Sequence, residues 1–149
     1  MTEPSTSAER GAARRPVVLY ACIHNSGRSV SALYLTRAYA GDRVDARSAG
    51  SEPGAGVNPA IAAVLAERGI STADHTPTLL THEGVAETDV VVTMGCGETC
   101  PVFPGTRYED WELEDPKGKD LDTVRRIVDE VDARVRDLLA RLGIEVPAG

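Results

Sequence analysis

Long apolar runs are missing from this chain. No uninterrupted stretch approaches the roughly 20 residues needed to cross a bilayer, and the N-terminus lacks the apolar segment of a secretory signal. The expectation is a cytoplasmic protein with no membrane association. A basic surplus is missing too. With a formal charge of −7, neither nucleic acid nor an anionic lipid surface is an expected partner, so any affinity for an anion has to be built locally by a loop. Cysteine and histidine are scarce, at three of each in 149 residues. Three cysteines are too few for a disulfide framework, and an odd count suits nucleophilic or redox use better than stapling. No segment repeats. The length suffices for one domain with a proper core, and we expect a single domain over residues 16–149. Residues 1–15, rich in Ser, Thr, Ala and charge without a periodic apolar face, are expected to form a disordered tail.

What the chain does have is concentrated early. Val17-Val18-Leu19-Tyr20-Ala21 reads as an apolar strand, Cys22-Ile23-His24-Asn25-Ser26-Gly27 as a loop of mostly small or polar residues, and Arg28-Ser29 as the start of a helix running to residue 40. Cys22 and Arg28 are separated by five residues. A loop of that length at a helix N-terminus can curl so that the N–H groups of residues 23–28 point inward and form a nest for a tetrahedral oxyanion. Arg28 can then hold two of the anion's oxygens through its planar fork of donors, with the sulfur of Cys22 below the central atom. The same amides, the helix dipole and the Ser29 hydroxyl favour thiolate over thiol. Asn25 and Gly27 are types that tolerate positive φ, which a tight cradle demands at some position. The plainer alternative is a buried cysteine at a strand end and an arginine that merely opens a helix. The strand before the loop and the serine and helix after it favour the nest.

Along the rest of the chain, strand and helix signals alternate. In the helix of residues 29–40, Val30, Leu33, Tyr34 and Ala38 are expected on one buried face. Residues 44–50 read as a second strand ending in Ser48-Ala49-Gly50, small enough for a backbone passing close to Cys22. Asn58-Pro59 is an N-cap with proline at N1, and Gly69-Ile70 closes that helix by packing Ile70 on Leu65. His75, in the turn-rich stretch after it, is expected to be structural. Residues 89–94 form the third strand and residues 107–111 a more polar fourth. Asp120 caps the longest helix, whose stripe of Leu121, Val124, Val128, Val131, Val135, Leu138 and Leu142 faces the core, with Gly143-Ile144 closing it over Leu139. The pattern predicts a flavodoxin-like, doubly wound three-layer α/β sandwich with a four-stranded parallel sheet of order 2-1-3-4 and Cys22 at the switch between the first and third strands.

Cys96 and Cys100 follow the third strand as Cys22 follows the first, so all three sulfurs are expected on one side of the sheet, which is what a thiol relay needs. Near the same edge lie Asp110, Glu112, Glu114 and Asp115, any of which could serve as an acid. As a non-enzymatic alternative, the three thiols could capture trivalent arsenic, or Cys96 and Cys100 with His82 could hold zinc; the ligand count and spacing disfavour both, and no metal site is expected.

Cys22-x5-Arg28-Ser29, Ser48-Ala49-Gly50, Asp115-Pro116 and the paired cysteines resemble the low-molecular-weight protein tyrosine phosphatase superfamily, and within it the arsenate reductases of thioredoxin-coupled type, over about residues 17–142. The resemblance implies the phosphatase fold, a Cys22 nucleophile, Asp115 as proton donor to the leaving oxygen, attack on Cys22 by Cys96 and resolution by Cys100. It also implies arsenate as substrate (phosphate or sulfate as mimics), no bound cofactor, reducing equivalents from thioredoxin, and a monomer. Mycothiol with mycoredoxin is the alternative donor, and hydrolysis of phosphomonoesters through phosphocysteine the alternative activity. The chain departs from relatives that bind potassium through a glutamate and an aspartate, where it has Leu33 and Thr78, so that site is not expected. It also has Lys117 after Asp115-Pro116, where the tyrosine phosphatases generally carry tyrosine.

Overall fold

The computed structural model describes residues 15–95 and 107–146. The first 14 residues of the expected tail, and both Cys96 and Cys100, lie outside the described residues.

In chain order the elements are β1 (Val17–Cys22), α1 (Arg28–Ala40), β2 (Asp45–Gly50), α2 (Pro59–Glu67), α3 (His82–Ala86), β3 (Val90–Thr93), β4 (Arg107–Asp110) and α4 (Leu121–Arg141). All pairings are parallel and the strand order is β2-β1-β3-β4, as the alternation predicts. The register aligns Cys22 with Gly50 on one side, and Ala21 with Thr93 on the other. The ends of β1, β2 and β3 that carry the loops of interest therefore lie level with one another.

β1 is buried at every position because both its faces are covered. Val18, Tyr20 and Cys22 pack with Val92, Met94 and the buried faces of α1, α2 and α4, whereas Leu19 and Ala21 pack with Val91, Ala49 and Val85 of α3. The two outer layers are unequal: three helices cover the first face, while the second has the five-residue α3 beside Leu80. Each fully buried large side chain on the thick side contributes on the order of 1.5–3 kcal/mol. Tyr20 belongs to this set, with its ring 5.8 Å from that of Trp111 and its hydroxyl 2.6 Å from Thr36 Oγ1.

Three expectations need correction. Ala38 is exposed, and the first nine residues of α1 are instead buried all round. The helix is enclosed by the sheet, by α4 and by the segment carrying Asp74 and His75, so Ser29, Ser31 and Thr36 are buried as thoroughly as its apolar residues. Leu121, expected on the inner stripe of α4, is 42% exposed in the first turn, whereas Ile127 and Leu139 widen the stripe beyond the strict three-four spacing. Leu142 is only half-buried, since it already forms the helix C-cap. Both expected glycine stops hold. Gly69 (φ +80°) and Gly143 (φ +79°) adopt left-handed backbone, with Ile70 N–H donating to Leu65 O at 3.0 Å and Ile144 N–H to Leu139 O at 2.8 Å.

Candidate active site

The loop after β1 is held by its carbonyls. Ser51 N–H donates to Cys22 O (3.2 Å), Glu52 N–H to Ile23 O (2.7 Å), Gly54 N–H to His24 O (2.9 Å) and Asn58 N–H to Ser26 O (2.8 Å). His75 Nε2 bonds Asn25 O at 3.0 Å, and Gly27 O takes the backbone N–H and hydroxyl of Ser31, each at 2.9 Å. With every carbonyl from Cys22 to Gly27 committed, what the loop has left to offer an anion is its N–H groups. A Cβ on Gly50 would lie 2.6 Å from Ile23 O and 2.8 Å from Asn25 N, so the close passage expected of Ser48-Ala49-Gly50 is real.

One buried residue organises the interior of the loop. Asn25 is fully buried, with φ +52°, the left-handed conformation anticipated for this loop. Its Oδ1 accepts from Thr78 N–H at 3.0 Å, which fixes the amide's orientation, and its Nδ2 donates to Ser29 Oγ at 2.9 Å. Ser29 Oγ lies 2.9 Å from Cys22 Sγ. Because Ser29 already accepts from Asn25, its own hydrogen remains to donate to the sulfur. His75 supports this network from behind, edge-on to the Tyr34 ring, whose hydroxyl donates to Asp74 Oδ1 at 2.7 Å. Burial, and then the Asp74 bond, push Tyr34 up to about 12, and the same bond holds Asp74 below its ordinary value. The structural reading of His75 stands. The positive φ expected at some position of the loop falls on Asn25 and not on Gly27 (φ −135°, ψ −83°), where an added Cβ would lie 3.0 Å from Pro116 Cγ.

A cavity of about 610 Å³ opens over the loop, lined by Cys22, Ile23, His24, Ser26, Gly27 and Arg28, by residues 54–59, and by residues 115–118. Arg28 is 8% exposed; its Nη1 donates to Leu113 O at 3.3 Å and its Nη2 lies 3.9 Å from Asp115 Oδ1. Of the four candidate acids, Asp115 alone lines this cavity, exposed and with Oδ1 accepting Lys117 N–H at 3.0 Å. Glu112, Glu114 and Asp110 border a neighbouring depression instead, where Asp110 accepts the Thr93 hydroxyl.

This geometry accompanies a match of residues 17–148 to the low molecular weight phosphotyrosine protein phosphatase family. The chain belongs to that family. Among relatives of this phosphatase-family chain, arsenate reductase 1 of Staphylococcus epidermidis is 32% identical over 87% of this chain and 99% of its own. A thioredoxin-dependent arsenate reductase of Corynebacterium glutamicum is 42% identical with a TM-score of 0.77, covering 89% of this chain and 64% of that longer one. The crystal structure of an arsenate reductase from Archaeoglobus fulgidus is 35% identical with a TM-score of 0.71, over 83% of this chain and 98% of that one.

Of the residues singled out in the sequence, Cys22, the loop from Ile23 to Gly27, Arg28, Ser29 and Asp115 come together, with Asn25 and Ser29 behind the cavity and the others lining it. The relay partners Cys96 and Cys100 fall outside the described residues. Among the described residues no cluster of His, Cys, Asp and Glu is arranged to hold a metal; His82 sits at the start of α3, Leu33 is buried and the Thr78 hydroxyl donates to Thr76 O. Sequence reasoning missed two features. The wall of residues 54–59 was visible only as the small-residue run Gly54-Ala55-Gly56 before a helix start, and the packing of Gly95 against Arg28 had no signal beyond the glycine itself.

Proposed function

We propose that this phosphatase-family chain reduces arsenate to arsenite. The Cys22 thiolate attacks arsenic, Arg28 and the loop amides of residues 23–28 hold the developing charge, and Asp115 protonates the departing oxygen, which leaves as water. The Cys96 thiolate then attacks the sulfur of Cys22; the sulfur–arsenic bond breaks with its electron pair going to arsenic, which departs as arsenite. Cys100 attacks Cys96, restores the Cys22 thiolate and leaves a Cys96–Cys100 disulfide, which the dithiol of thioredoxin reduces. Two thiols thus supply the two electrons that arsenic gains.

The observation that carries the first step is the directed Asn25, Ser29, Cys22 chain of hydrogen bonds beneath a cavity that also holds Arg28 and Asp115. The reductive second step is supported by the two further cysteines after β3 and by the activity in the names of the relatives. Lys117, at the position where the tyrosine phosphatases generally carry tyrosine, lines the cavity, and on that ground hydrolysis of an aryl phosphate is the weaker reading.

The test is arsenate-dependent NADPH consumption with thioredoxin and its reductase, run beside mycothiol with mycoredoxin. Cys22→Ser should abolish all activity. Cys96→Ser and Cys100→Ser should each abolish thioredoxin-coupled arsenite release and spare any weak hydrolysis of a small phosphate ester. Normal arsenate turnover with thioredoxin in either relay variant would refute the relay.

A further inference from the structure

The geometry points to Gly95 as a positioning residue for Arg28. Gly95 follows β3 with φ +77°, and a Cβ built there would lie 2.1 Å from Arg28 Nη1, 2.9 Å from Cζ and 3.2 Å from Nη2. The bare backbone of residue 95 is therefore pressed against the guanidinium itself. Leu113 O takes Nη1 from another side, and Asp115 stands 3.9 Å from Nη2. Together these three neighbours place the guanidinium of the buried Arg28 at the cavity, where its fork can meet two oxygens of a tetrahedral anion.

The side that gives way on substitution makes the role specific. The atoms a new Cβ would strike belong to the far end of a flexible side chain rather than to the backbone. An alanine at 95 therefore displaces the guanidinium and leaves the fold standing, so its main effect falls on anion affinity. Left-handed backbone also disfavours alanine, but that cost is the same whatever residue 28 is, and it cancels in a comparison across two backgrounds. Gly50 is the contrasting case, since a Cβ there meets only main-chain atoms of the loop.

The inference rests on the loop being an oxyanion site, and the experiment separates the two. Inorganic phosphate is titrated calorimetrically into the reduced full chain, into Gly95→Ala, into Arg28→Lys, whose single slim ammonium leaves the space beside residue 95 open, and into the double variant. Gly95→Ala should weaken phosphate by ~tenfold or more, the scale of one charge-assisted hydrogen bond. In the Arg28→Lys background the same substitution should change affinity by less than about twofold, the additivity expected of uncoupled sites. An equal loss in both backgrounds, or no loss in the parent, overturns the inference. Failure of Gly95→Ala to fold, read by circular dichroism and urea unfolding, also overturns it, because the guanidinium would then not have given way. Absence of phosphate binding by the parent overturns the oxyanion reading and this inference with it.

Discussion

Replacing Asn25 with alanine should separate the loop's architecture from the rest of the fold. The side chain makes two hydrogen bonds, from Nδ2 to Ser29 Oγ and to Oδ1 from Thr78 N–H, worth about 1 kcal/mol each net. Alanine at φ +52° adds roughly 1 kcal/mol of backbone strain that asparagine tolerates better. A cost of ~3 kcal/mol follows, a large share of the 5–15 kcal/mol by which such domains are stable but not enough to unfold most of them. The chemical effect should be larger than the stability effect suggests, because an undirected Ser29 no longer commits its hydrogen to Cys22. In a Cys96→Ser, Cys100→Ser background, where Cys22 is the single thiol, alkylation by iodoacetamide at neutral pH should slow severalfold, and urea unfolding should report the stability loss. Ser29→Ala acts on the same chain, so the double variant should lose less than the sum of the singles, by more than about 0.5 kcal/mol. Additive losses, or an Asn25→Ala protein within about 0.5 kcal/mol of the parent, the range of a change that touches no such feature, would refute the directed network.

Gly50→Ala should cost about 1–3 kcal/mol and weaken phosphate binding at the same time, since the added Cβ meets backbone of the loop at 2.6–3.0 Å and no rotamer relieves it; calorimetry and urea unfolding check both. Glu109 is held below its ordinary value of 4.5, first by its bonds to Arg141. Its folded-state value is depressed, so its contribution is present above about pH 4.5 and is lost as pH falls through the lower folded value; Glu109→Gln should flatten the fall of the urea midpoint below pH 4.5. Leu121→Lys should leave the melting temperature within about 2 °C, as expected for an exposed first-turn position that buries little.

The fold was legible because its signals are local and redundant. Val17 to Ala21 and Val90 to Val92 are continuous apolar runs, and Asn58-Pro59, Gly69 and Gly143 punctuate helices through backbone chemistry that no tertiary context overrides. Leu121 failed because periodicity assumes that the first turn already lies over the core, whereas α4 enters from its Asp120 cap with that turn in solvent. Ala38 failed because a one-face template does not apply to a helix that neighbours enclose. At the site, the gathering of Cys22, Arg28 and Ser29 around one loop was readable from residue types and spacing. The choice of Asp115 over Asp110, Glu112 and Glu114 was not readable from residue type, since four carboxylates in six residues differ only in where the chain after β4 turns. The Gly95 contact joins residues 67 positions apart through space, and a glycine in a loop carries no trace of which side chain excluded a larger residue.

The N-termini of the helices show how a chain of charge −7 can still hold an anion. Asn58 caps α2 by accepting from Ala60 and Ile61, Thr81 caps α3 by accepting from Gly84, and Asp120 caps α4 by accepting from Thr123. Each closes its first turn with a side-chain oxygen, typically worth ~1 kcal/mol. At α1 that position is Gly27, which supplies no oxygen, and the first turn carries no acidic residue. Tight packing against Pro116 leaves no room for a larger cap without movement. The N-cap of α1 therefore supplies no side-chain partner of the kind the other three helices have, at the place where the loop's carbonyls are all engaged elsewhere and Arg28 brings a buried positive charge. On the proposed function, a tetrahedral oxyanion would satisfy the first-turn donors as a cap does. Distant surface charge then matters little: the groups nearest the cavity are the loop dipoles, Arg28, Lys117 and Asp115, whose carboxyl must be protonated to act as a donor, while carboxylates on the outer faces are screened over about 8–10 Å of salt water.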